Sequence, residues 1–361
     1  MKYYSLKRIL SKNAIWNLII GERSNGKTYA VLERIVTNAL TKGEDGVIIR
    51  RWAEDFKNKR GATMFASLVN NGVVTKLSNG EWDNIYYFSG RWYFCRTEDG
   101  KRICAEDPFC YAFALTDMEH DKSTSYPKVK TILFDEFLSR FGYLPDEFIL
   151  LSNVLSTIIR DRDDVLIFMC GNTVNKYSPY FVEMGLTNIQ KMEKGEIQVY
   201  DYGDSGLRVA VEFTDTPKLV KKSNKYFAFN NPRLEMITGK GNVWEIAIYP
   251  HLTFKYVNKD IKFIYFIEFN DNLLQCEVIK HDKDYVTYIH KKTTPLKSDR
   301  EIVFSPEADV RCCRYSNILK PVDSVSEMLG AFFKKNKVFY QNNEIGEIVN
   351  NYLMYCKNKA G

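Results

Sequence analysis

Several features are scarce in this 361-residue sequence, and each scarcity excludes a class of protein. No apolar run approaches the length needed to cross a bilayer, and the first twelve residues lack the continuous apolar core of a secretory signal. Histidine occurs only four times and the eight cysteines form no C-x-x-C pair, which argues against a zinc site. We therefore expect an intracellular protein with reduced thiols and no membrane association.

The overall composition is that of an ordinary globular protein. Hydrophobic residues make up 45% of the chain and charged residues 27%, and we find no internal repeat and no low-complexity segment. The length is sufficient for two domains with a large core. A formal net charge of +6 is compatible with a polyanionic partner such as DNA or RNA, but it does not require one.

The strongest motif is the octapeptide GERSNGKT at residues 21–28, directly after the apolar run 15–20. It fits the phosphate-binding pattern G-x-x-x-x-G-K-[ST], whose context is a strand before the loop and a helix after it. The loop's backbone N–H groups and the lysine would hold phosphates, and the threonine hydroxyl would hold Mg²⁺. The alternative is a glycine-rich turn before an ordinary helix. The predicted nucleotide-binding residues are Gly21, Glu22, Arg23, Ser24, Asn25, Gly26, Lys27 and Thr28.

Strands and helices alternate through the first half of the sequence. We predict a helix over 27–40, strands over 46–52, 129–137 and 164–170, and a helix over 146–160 whose apolar residues form one stripe. Residues 86–94 are typical of a hairpin that turns at Ser89-Gly90. This alternation indicates an α/β fold with a parallel sheet covered by helices on both faces.

The apolar strand 131–137 ends in Asp135-Glu136, a pair of acidic residues suited to nucleotide hydrolysis. A carboxylate at the edge of the sheet beside the phosphate loop would hold the water shell of Mg²⁺, which is the role expected of Asp135. Glu136 would polarise the water that attacks the γ-phosphate. The alternative is a strand that merely ends in charged residues.

Three further residues have both a structural and a catalytic interpretation. Asn172 follows the strand 166–170, where it would either sense the γ-phosphate or simply make a turn. Arg160 and Arg162 end a helix, where cations complement the helix dipole or one of them acts as an arginine finger on a neighbouring subunit's nucleotide. Lys122 is equally ambiguous.

The second half of the sequence has a different pattern. Residues 196–202 and 207–213 alternate like a hairpin, and 218–225 is a basic stretch that is either a solvated loop or a contact for a phosphate backbone. A series of strands over 243–249, 252–256, 261–269, 274–279 and 285–290 is followed by helices over 325–335 and 343–356. We predict an ATPase domain at 1–195, a linker or hairpin region at 196–241, and an α+β domain at 242–361.

Taken together, these motifs resemble the DNA encapsidation ATPases of small phi29-like podophages. Besides the phosphate loop, the matching segments are Ile49-Arg50-Arg51, 122–127 (KSTSYP), 134–137 (FDEF), 143–147 (YLPDE), Arg160-x-Arg162, Asn172 and 175–181 (NKYSPYF). The resemblance covers about the first 185 residues well. It is looser in the C-terminal part, where it rests on 329–333 (LGAFF) and the final helix.

The resemblance implies a P-loop NTPase of the additional-strand class, which uses ATP and Mg²⁺ and has its catalytic Glu beside the metal-binding Asp. Carried over by position, Lys27 and Thr28 hold phosphates and Mg²⁺, Asp135 holds the metal and Glu136 the water. Arg160 acts in trans, with Lys122 as a candidate second trans-acting cation. The C-terminal domain resembles an RNase H-like nuclease that has lost its catalytic carboxylates, although Glu245, Glu268, Asp271 and Glu277 remain as acidic residues.

The resemblance also implies partners and a place of action. Subunits would form a homomeric ring, a pentamer, at the portal vertex of an empty procapsid in the host cytoplasm, and would drive double-stranded DNA through the pore. A packaging RNA is a further candidate partner. We name Lys57, Lys59 and Arg60 as candidates for gripping DNA phosphates.

Other functions remain open on the residues alone. A helicase-like or initiator-like ATPase of DNA replication would need similar residues, so the family pattern carries that choice. A nucleotide kinase would use the same phosphate loop, although Asp-Glu and the absence of an arginine-rich lid argue against it. A structural protein could also use bound nucleotide only as an assembly clamp.

Overall fold

In the computed structural model of this chain, the described residues are 4–23, 25–117, 125–139, 143–172, 178–215, 249–269, 272–306 and 313–358. The chain divides into two compact units, the first formed by Met1–Phe141 and Asp146–Glu245 and the second by Gly142–Pro145 and Ile246–Gly361. Among the described residues, no helix is both long enough and apolar enough to span a bilayer. Each unit has its own sheet.

The first unit contains ten strands and seven helices among its described residues. The strands are β1 (Trp16–Gly21), β2 (Asp45–Arg50), β3 (Asn84–Phe88), β4 (Arg91–Glu98), β5 (Lys101–Cys104), β6 (Cys110–Ala114), β7 (Val129–Asp135), β8 (Leu166–Asn172), β9 (Ile197–Asp201) and β10 (Arg208–Phe213). The helices are α1 (Lys7–Leu10), α2 (Lys27–Lys42), α3 (Lys59–Ala62), α4 (Ala66–Asn70), α5 (Val73–Leu77), α6 (Glu147–Ile159) and α7 (Pro179–Glu183).

All ten strands form one mixed sheet with a parallel centre. Its order is β3-β4-β6-β2-β7-β8-β1-β10-β9, with β5 paired to β4 at one edge. The six strands from β6 to β10 in this order are parallel, whereas β3, β4, β5 and β9 pair antiparallel. The predicted α/β fold with a parallel sheet is therefore confirmed, and so is the hairpin that turns at Ser89-Gly90.

Helices cover both faces of the parallel strands, which explains why those strands are nearly continuous apolar runs. Side chains alternate along a strand, so neighbouring residues of β7 enter different cores. Leu133 lies in the core formed with α2, where Ile35 and Val36 are fully buried or nearly so. Phe134 faces the other side and packs edge-on against Tyr180 of α7, with ring centroids 5.6 Å apart.

The predicted boundary at residue 195 needs correction. The strands β9 and β10, which we expected in a linker or hairpin region, belong to the sheet of the first unit. β10 pairs in parallel with β1 from Trp16↔Val209 to Ile20↔Phe213. The alternating hairpin pattern was correct, but only the long-range pairing assigns it to this sheet. The basic stretch 218–225 and the predicted strand 243–249 lie outside the described residues, apart from Tyr249.

The second unit is an α+β arrangement around a six-stranded sheet. Its strands are β11 (Ile261–Phe269), β12 (Asn272–His281), β13 (Asp284–Lys291), β14 (Val303–Phe304), β15 (Arg314–Tyr315) and β16 (Val338–Tyr340), and its helices are α8 (Ser324–Lys334) and α9 (Asn343–Asn358). The order is β15-β14-β11-β12-β13-β16, in which β11, β12 and β13 are antiparallel and the other neighbours are parallel.

One predicted strand of the second unit was wrong. Residues 252–256 are described and form no strand. Their side chains instead pack on β12, because the ring of Phe254 stacks on His281 with centroids 3.7 Å apart and the Tyr256 hydroxyl donates to Glu277 at 2.6 Å. The apolar alternation in this segment therefore reflects side-chain packing rather than pairing of its backbone.

Candidate nucleotide-binding and catalytic site

Three neighbouring parallel strands, β1, β8 and β7, bring their carboxyl ends to the same edge of the sheet. Gly21 at the end of β1 is directly opposite Asn172 at the end of β8, and Asp135 at the end of β7 is opposite Cys170. A cavity of about 400 Å³ opens there. It is lined by Arg23, Asn25, Gly26, Lys27, Thr28, Tyr29, Glu136 and Asn172.

The phosphate-loop sequence has the strand-loop-helix context that its motif requires, because β1 ends at Gly21 and α2 begins at Lys27. Both glycines of the motif are needed sterically. Gly26 has a φ of +93°, a conformation that residues with a Cβ rarely adopt. A Cβ on Gly21 would lie 1.9 Å from Oγ1 of Thr214, so that position admits no side chain without movement.

The ammonium group of Lys27 is turned onto the loop itself. Its Nζ donates to the carbonyl oxygens of Gly21 at 3.1 Å and Glu22 at 2.7 Å, and to the side-chain oxygens of Asn25 at 3.1 Å and Asn172 at 3.3 Å. Burial lowers the pKa of Lys27 from 10.5 to about 8. A buried cation among carbonyl oxygens is suited to receive anionic oxygens at the same position.

Asp135 is a buried acidic group at this edge, and two polar side chains contact it. Thr28 Oγ1 donates to Asp135 Oδ1 at 2.8 Å, and Arg50 Nη2 lies 2.6 Å from Oδ2. Burial raises the pKa of Asp135, while Arg50 and the hydrogen bond from Thr28 act in the opposite direction.

The oxygen atoms at Thr28 and Asp135 fit Mg²⁺, a hard cation that nucleotide enzymes hold through one or two carboxylates plus substrate phosphates. Among the described residues, no group of three or more His, Cys, Asp or Glu side chains could hold a metal by itself. The pair would therefore need phosphate oxygens or water to complete the coordination of Mg²⁺.

Glu136 is held by two adjacent arginines. Arg50 Nη1 lies 2.9 Å from Glu136 Oε2, and the Glu136 side chain is 61% exposed on the cavity side of the sheet edge. The next residue, Arg51, donates to the backbone oxygen of Glu136 at 3.3 Å and of Phe137 at 2.8 Å. Glu136 itself has a φ of +60°, so its backbone leaves the strand in the left-handed region.

The two arginines at the end of α6 have different surroundings. Arg162 donates to the carbonyl oxygens of Ile158, Ile159, Pro127 and Val129, at 2.7 to 3.1 Å, and so caps the helix and ties it to β7. Arg160 is exposed and has a φ of +51°. The hydrogen bonds of Arg162 fit the helix-capping interpretation.

The remaining predicted residues lie elsewhere or outside the described part of the chain. Glu22 forms an ion pair with Lys194 at 2.6 Å. Ser24 and Lys122 lie outside the described residues. Lys57 and Arg60 are exposed but pair with Glu54 at 3.0 Å and Asp55 at 3.7 Å respectively, and Lys59, also exposed, begins α3.

The acidic residues of the second unit are held by neighbouring side chains. Glu268 pairs with Arg314. Glu277 accepts hydrogen bonds from Tyr256, Gln275 and His290. Although burial opposes ionisation of Glu277, these hydrogen bonds hold its pKa below the usual value. Glu245 and Asp271 lie outside the described residues.

Two residues that contribute to the site, Thr214 and Tyr29, were not predicted from the sequence. Thr214, just after β10, accepts a hydrogen bond from Asn25 Nδ2 at 2.7 Å and limits the space beside Gly21. Nothing in the local sequence signals this contact, because 189 residues separate its partners. Tyr29 lines the cavity from the first turn of α2, where its position directly after the motif was a usable signal.

Comparison with known protein families agrees with the resemblance. The profile of the family described as podovirus DNA encapsidation protein (Gp16) matches residues 1–350. A DNA packaging protein of Bacillus phage B103 is 32% identical over 182 residues, which are 49% of this chain and 50% of that protein. The DNA packaging protein of Bacillus phage phi29 is 28% identical over 187 residues, 51% of this chain and 50% of that protein. The chain thus spans about half the length of the curated relatives it matches.

Two solved structures share the fold along nearly the whole chain. The phi-28 gp11 DNA packaging motor superposes with a TM-score of 0.52 at 19% identity, covering 98% of this chain and 97% of that one. The bacteriophage phi-29 genome packaging motor assembly superposes with a TM-score of 0.51 at 21% identity, covering 99% of each chain. At these identities the likeness shows the fold alone.

Proposed function

The chain belongs to the podovirus DNA encapsidation protein family, and on that premise we propose that it is an ATP-hydrolysing motor subunit that moves double-stranded viral DNA into a preformed procapsid. The observation that carries the proposal is the convergence of Lys27, Thr28, Asp135 and Glu136 at the carboxyl edge of one parallel sheet. Ligands of open α/β sheets bind at this edge.

Each residue at the cavity would have a separate role in ATP hydrolysis. Lys27 and the N–H groups of the loop would hold the phosphates of ATP, and Thr28 and Asp135 would hold Mg²⁺. When bound, Mg²⁺ neutralises charge that develops on the phosphate oxygens. Glu136 would orient a water molecule and accept its proton. Asn172, whose Oδ1 lies 3.3 Å from Lys27 Nζ, would contact the terminal phosphate.

The proposal also covers the fold class of each unit and the assembly of subunits. The first unit would be a P-loop NTPase of the additional-strand class and the second a degenerate RNase H-like domain. Glu277 supports the interpretation that the nuclease site of this domain is degenerate, because its carboxylate oxygens already accept three hydrogen bonds. Subunits would form a ring, a pentamer, at the portal of the procapsid in the host cytoplasm, with a packaging RNA as a further partner.

Arg160 would complete a neighbouring subunit's site. Its exposure at the end of the packed helix α6 supports this role. An arginine finger contributes about 10³–10⁵ in rate. Lys122 would be a second cation acting in trans. Mixing wild-type subunits with Arg160→Ala subunits should depress ATPase activity out of proportion to the mixing ratio, whereas strictly additive rates would refute action in trans.

Lys57, Lys59 and Arg60 would grip DNA phosphates without reading bases. Two of these cations have an acidic neighbour, so phosphate contact would exchange one partner for another. DNA-stimulated ATPase activity should then fall steeply as salt concentration rises, because each phosphate contact releases counterions. An activity that is independent of salt would count against phosphate gripping.

The direct test combines purified protein, empty procapsids and viral DNA. Wild-type protein with ATP should protect the DNA from added nuclease, and Glu136→Gln should not, although it keeps the shape of the side chain. Protection that persists without ATP, or with Glu136→Gln, would contradict the proposal. Transfer of phosphate to an acceptor molecule would instead establish a kinase.

A further inference from the structure

A buried ion pair links the second arginine of the Arg50-Arg51 pair to helix α6. Arg51 Nε and Nη2 each donate to one carboxylate oxygen of Glu147 at 2.7 Å, which is the bidentate geometry that arginine forms with carboxylates. The Arg51 side chain is 7% exposed and the Glu147 side chain 0%. Tyr180 adds a hydrogen bond to Glu147 at 2.5 Å.

The same guanidinium reaches the backbone next to the cavity. It donates to the carbonyl oxygens of Glu136 and Phe137, which follow the last residue of β7. Because Glu136 is in the left-handed region, its backbone conformation has to be held by surrounding contacts. Arg50 holds the carboxylate of Glu136 while Arg51 holds its backbone.

Glu147 is also the first residue of α6, whose other end carries Arg160. The helix has 13 residues, which corresponds to a length of about 20 Å at 1.5 Å per residue. Its apolar side is packed: Leu151, Val154 and Ile158 are at most 1% exposed. A packed helix transmits displacement as a unit rather than bending locally.

We propose that Arg51 is a positioning residue that couples the backbone of Glu136 to α6, and through α6 to Arg160. One subunit's water-orienting carboxylate then moves together with the arginine that this subunit lends to its neighbour. The inference rests on the proposed function, and it deepens it by naming the contact within one subunit that connects two successive nucleotide sites.

A purely structural role for the Arg51–Glu147 pair is the competing explanation. Removing one partner of a buried ion pair strongly destabilises a fold, so loss of activity alone would not separate the two explanations. To separate coupling from a purely structural role, the measurement must report on the Arg160 that a subunit donates to its neighbour. The donating subunit must have an inactive site of its own, so that its own hydrolysis does not contribute. Mixed rings offer this measurement.

The parent mixture combines Arg160→Ala subunits, which keep an intact site but donate no finger, with Glu136→Gln subunits, which donate a finger but hydrolyse nothing. Where the two adjoin, the Arg160→Ala site should hydrolyse ATP. Single-turnover hydrolysis is the readout, because each competent site needs to react only once. If this mixture hydrolyses no more ATP than either variant alone, action in trans fails, and the inference fails with it.

Arg51→Lys is then added to the Glu136→Gln subunits. Lysine keeps the positive charge but lacks the planar fork that reaches both Glu147 and the two carbonyl oxygens. We expect single-turnover hydrolysis in the mixture to fall at least about fivefold, corresponding to about 1 kcal/mol. Unchanged hydrolysis would overturn the inference while leaving the proposed function standing. In a second mixture, Arg51→Lys is placed in the Arg160→Ala subunits instead. Hydrolysis should also slow there, because the backbone of Glu136 in the hydrolysing site loses its contact with Arg51.

Two controls separate positioning from general loss of stability. Glu147→Gln, which alters the other partner of the pair, should reproduce the effect in the donating subunit. Val74→Ala truncates a fully buried residue of α5, a helix outside the network, and should leave complementation within about twofold at a matched melting temperature. If Val74→Ala and Arg51→Lys reduce hydrolysis equally at equal stability, the coupling is refuted.

Discussion

Raising the pH from 7 to 9 should weaken ATP binding because the free protein loses the proton of Lys27 in this range. Burial places the pKa of Lys27 at about 8, compared with 10.5 for an unperturbed lysine. Phosphate oxygens favour the ammonium form, so the pKa of Lys27 in the complex lies higher than in the free protein. Binding therefore takes up a proton, and affinity is lost as the pH rises above the free-state value.

The magnitude follows from the pKa of the free protein. With a pKa of about 8, Lys27 is roughly 90% protonated at pH 7 and roughly 10% at pH 9, so affinity should fall about tenfold, or about 1.4 kcal/mol. Burial raises the pKa of Cys170 far above this range, and a terminal phosphate with a pKa near 6 is already ionised.

Isothermal titration calorimetry of Glu136→Gln with Mg·ATP measures this without hydrolysis. Buffers with different ionisation enthalpies should report uptake of about 0.1 proton per nucleotide at pH 7 and about 0.9 at pH 9. Lys27→Arg, whose side chain stays charged throughout, is the matched control and should show no pH dependence. A flat affinity for the protein with Lys27 intact, or release of protons on binding, would refute the reasoning.

Three further predictions concern stability. Gly21→Ala should destabilise the protein by about 1–3 kcal/mol in urea unfolding, because its Cβ would lie 1.9 Å from another side chain; a neutral effect would mean that the loop relaxes freely. Arg162→Ala should cost about 1–3 kcal/mol, whereas Arg160→Ala should have the larger effect on ATPase activity; the reverse order of the two activity effects would exchange their roles. The hydrogen bond to Glu277 raises the pKa of His290, so this pair's stabilisation should be complete below about pH 6.5 and lost as the pH rises through the folded pKa. The free energy of unfolding should therefore be higher at pH 6 than at pH 8 by the contribution of this pair, and Glu277→Gln should abolish that contribution.

Local spacing was enough to predict the elements around the cavity. The loop at residues 21–28, the strand ending at Asp135 and the strand ending near Asn172 all lie where their patterns placed them. These features depend on periods of two or 3.6 residues and on turn chemistry, which short stretches of sequence contain. The short strands β14, β15 and β16 of two or three residues carry too little pattern to be recognised.

Pairs of like residues show where local pattern stops being informative. Arg50 and Arg51 are adjacent, yet one contacts Asp135 and the other a buried Glu147. Arg160 and Arg162 share one helix end, yet Arg160 is exposed with a φ of +51°, whereas Arg162 donates to four backbone carbonyl groups. In each case sequence established the residue type and only packing separated the two environments.

The sequence by itself determined the loop at residues 21–28 and the strand ends around it, because eight consecutive residues with this pattern after a strand specify a glycine-containing loop before a helix, and strand ends specify which acidic side chains can reach it. Tertiary structure alone decided which distant groups complete the site. The contacts Asn25–Thr214, Arg50–Asp135 and Arg51–Glu147 join residues 189, 85 and 96 positions apart. Such contacts arise from the order of strands in the sheet, which depends on how whole faces are buried rather than on any local pattern.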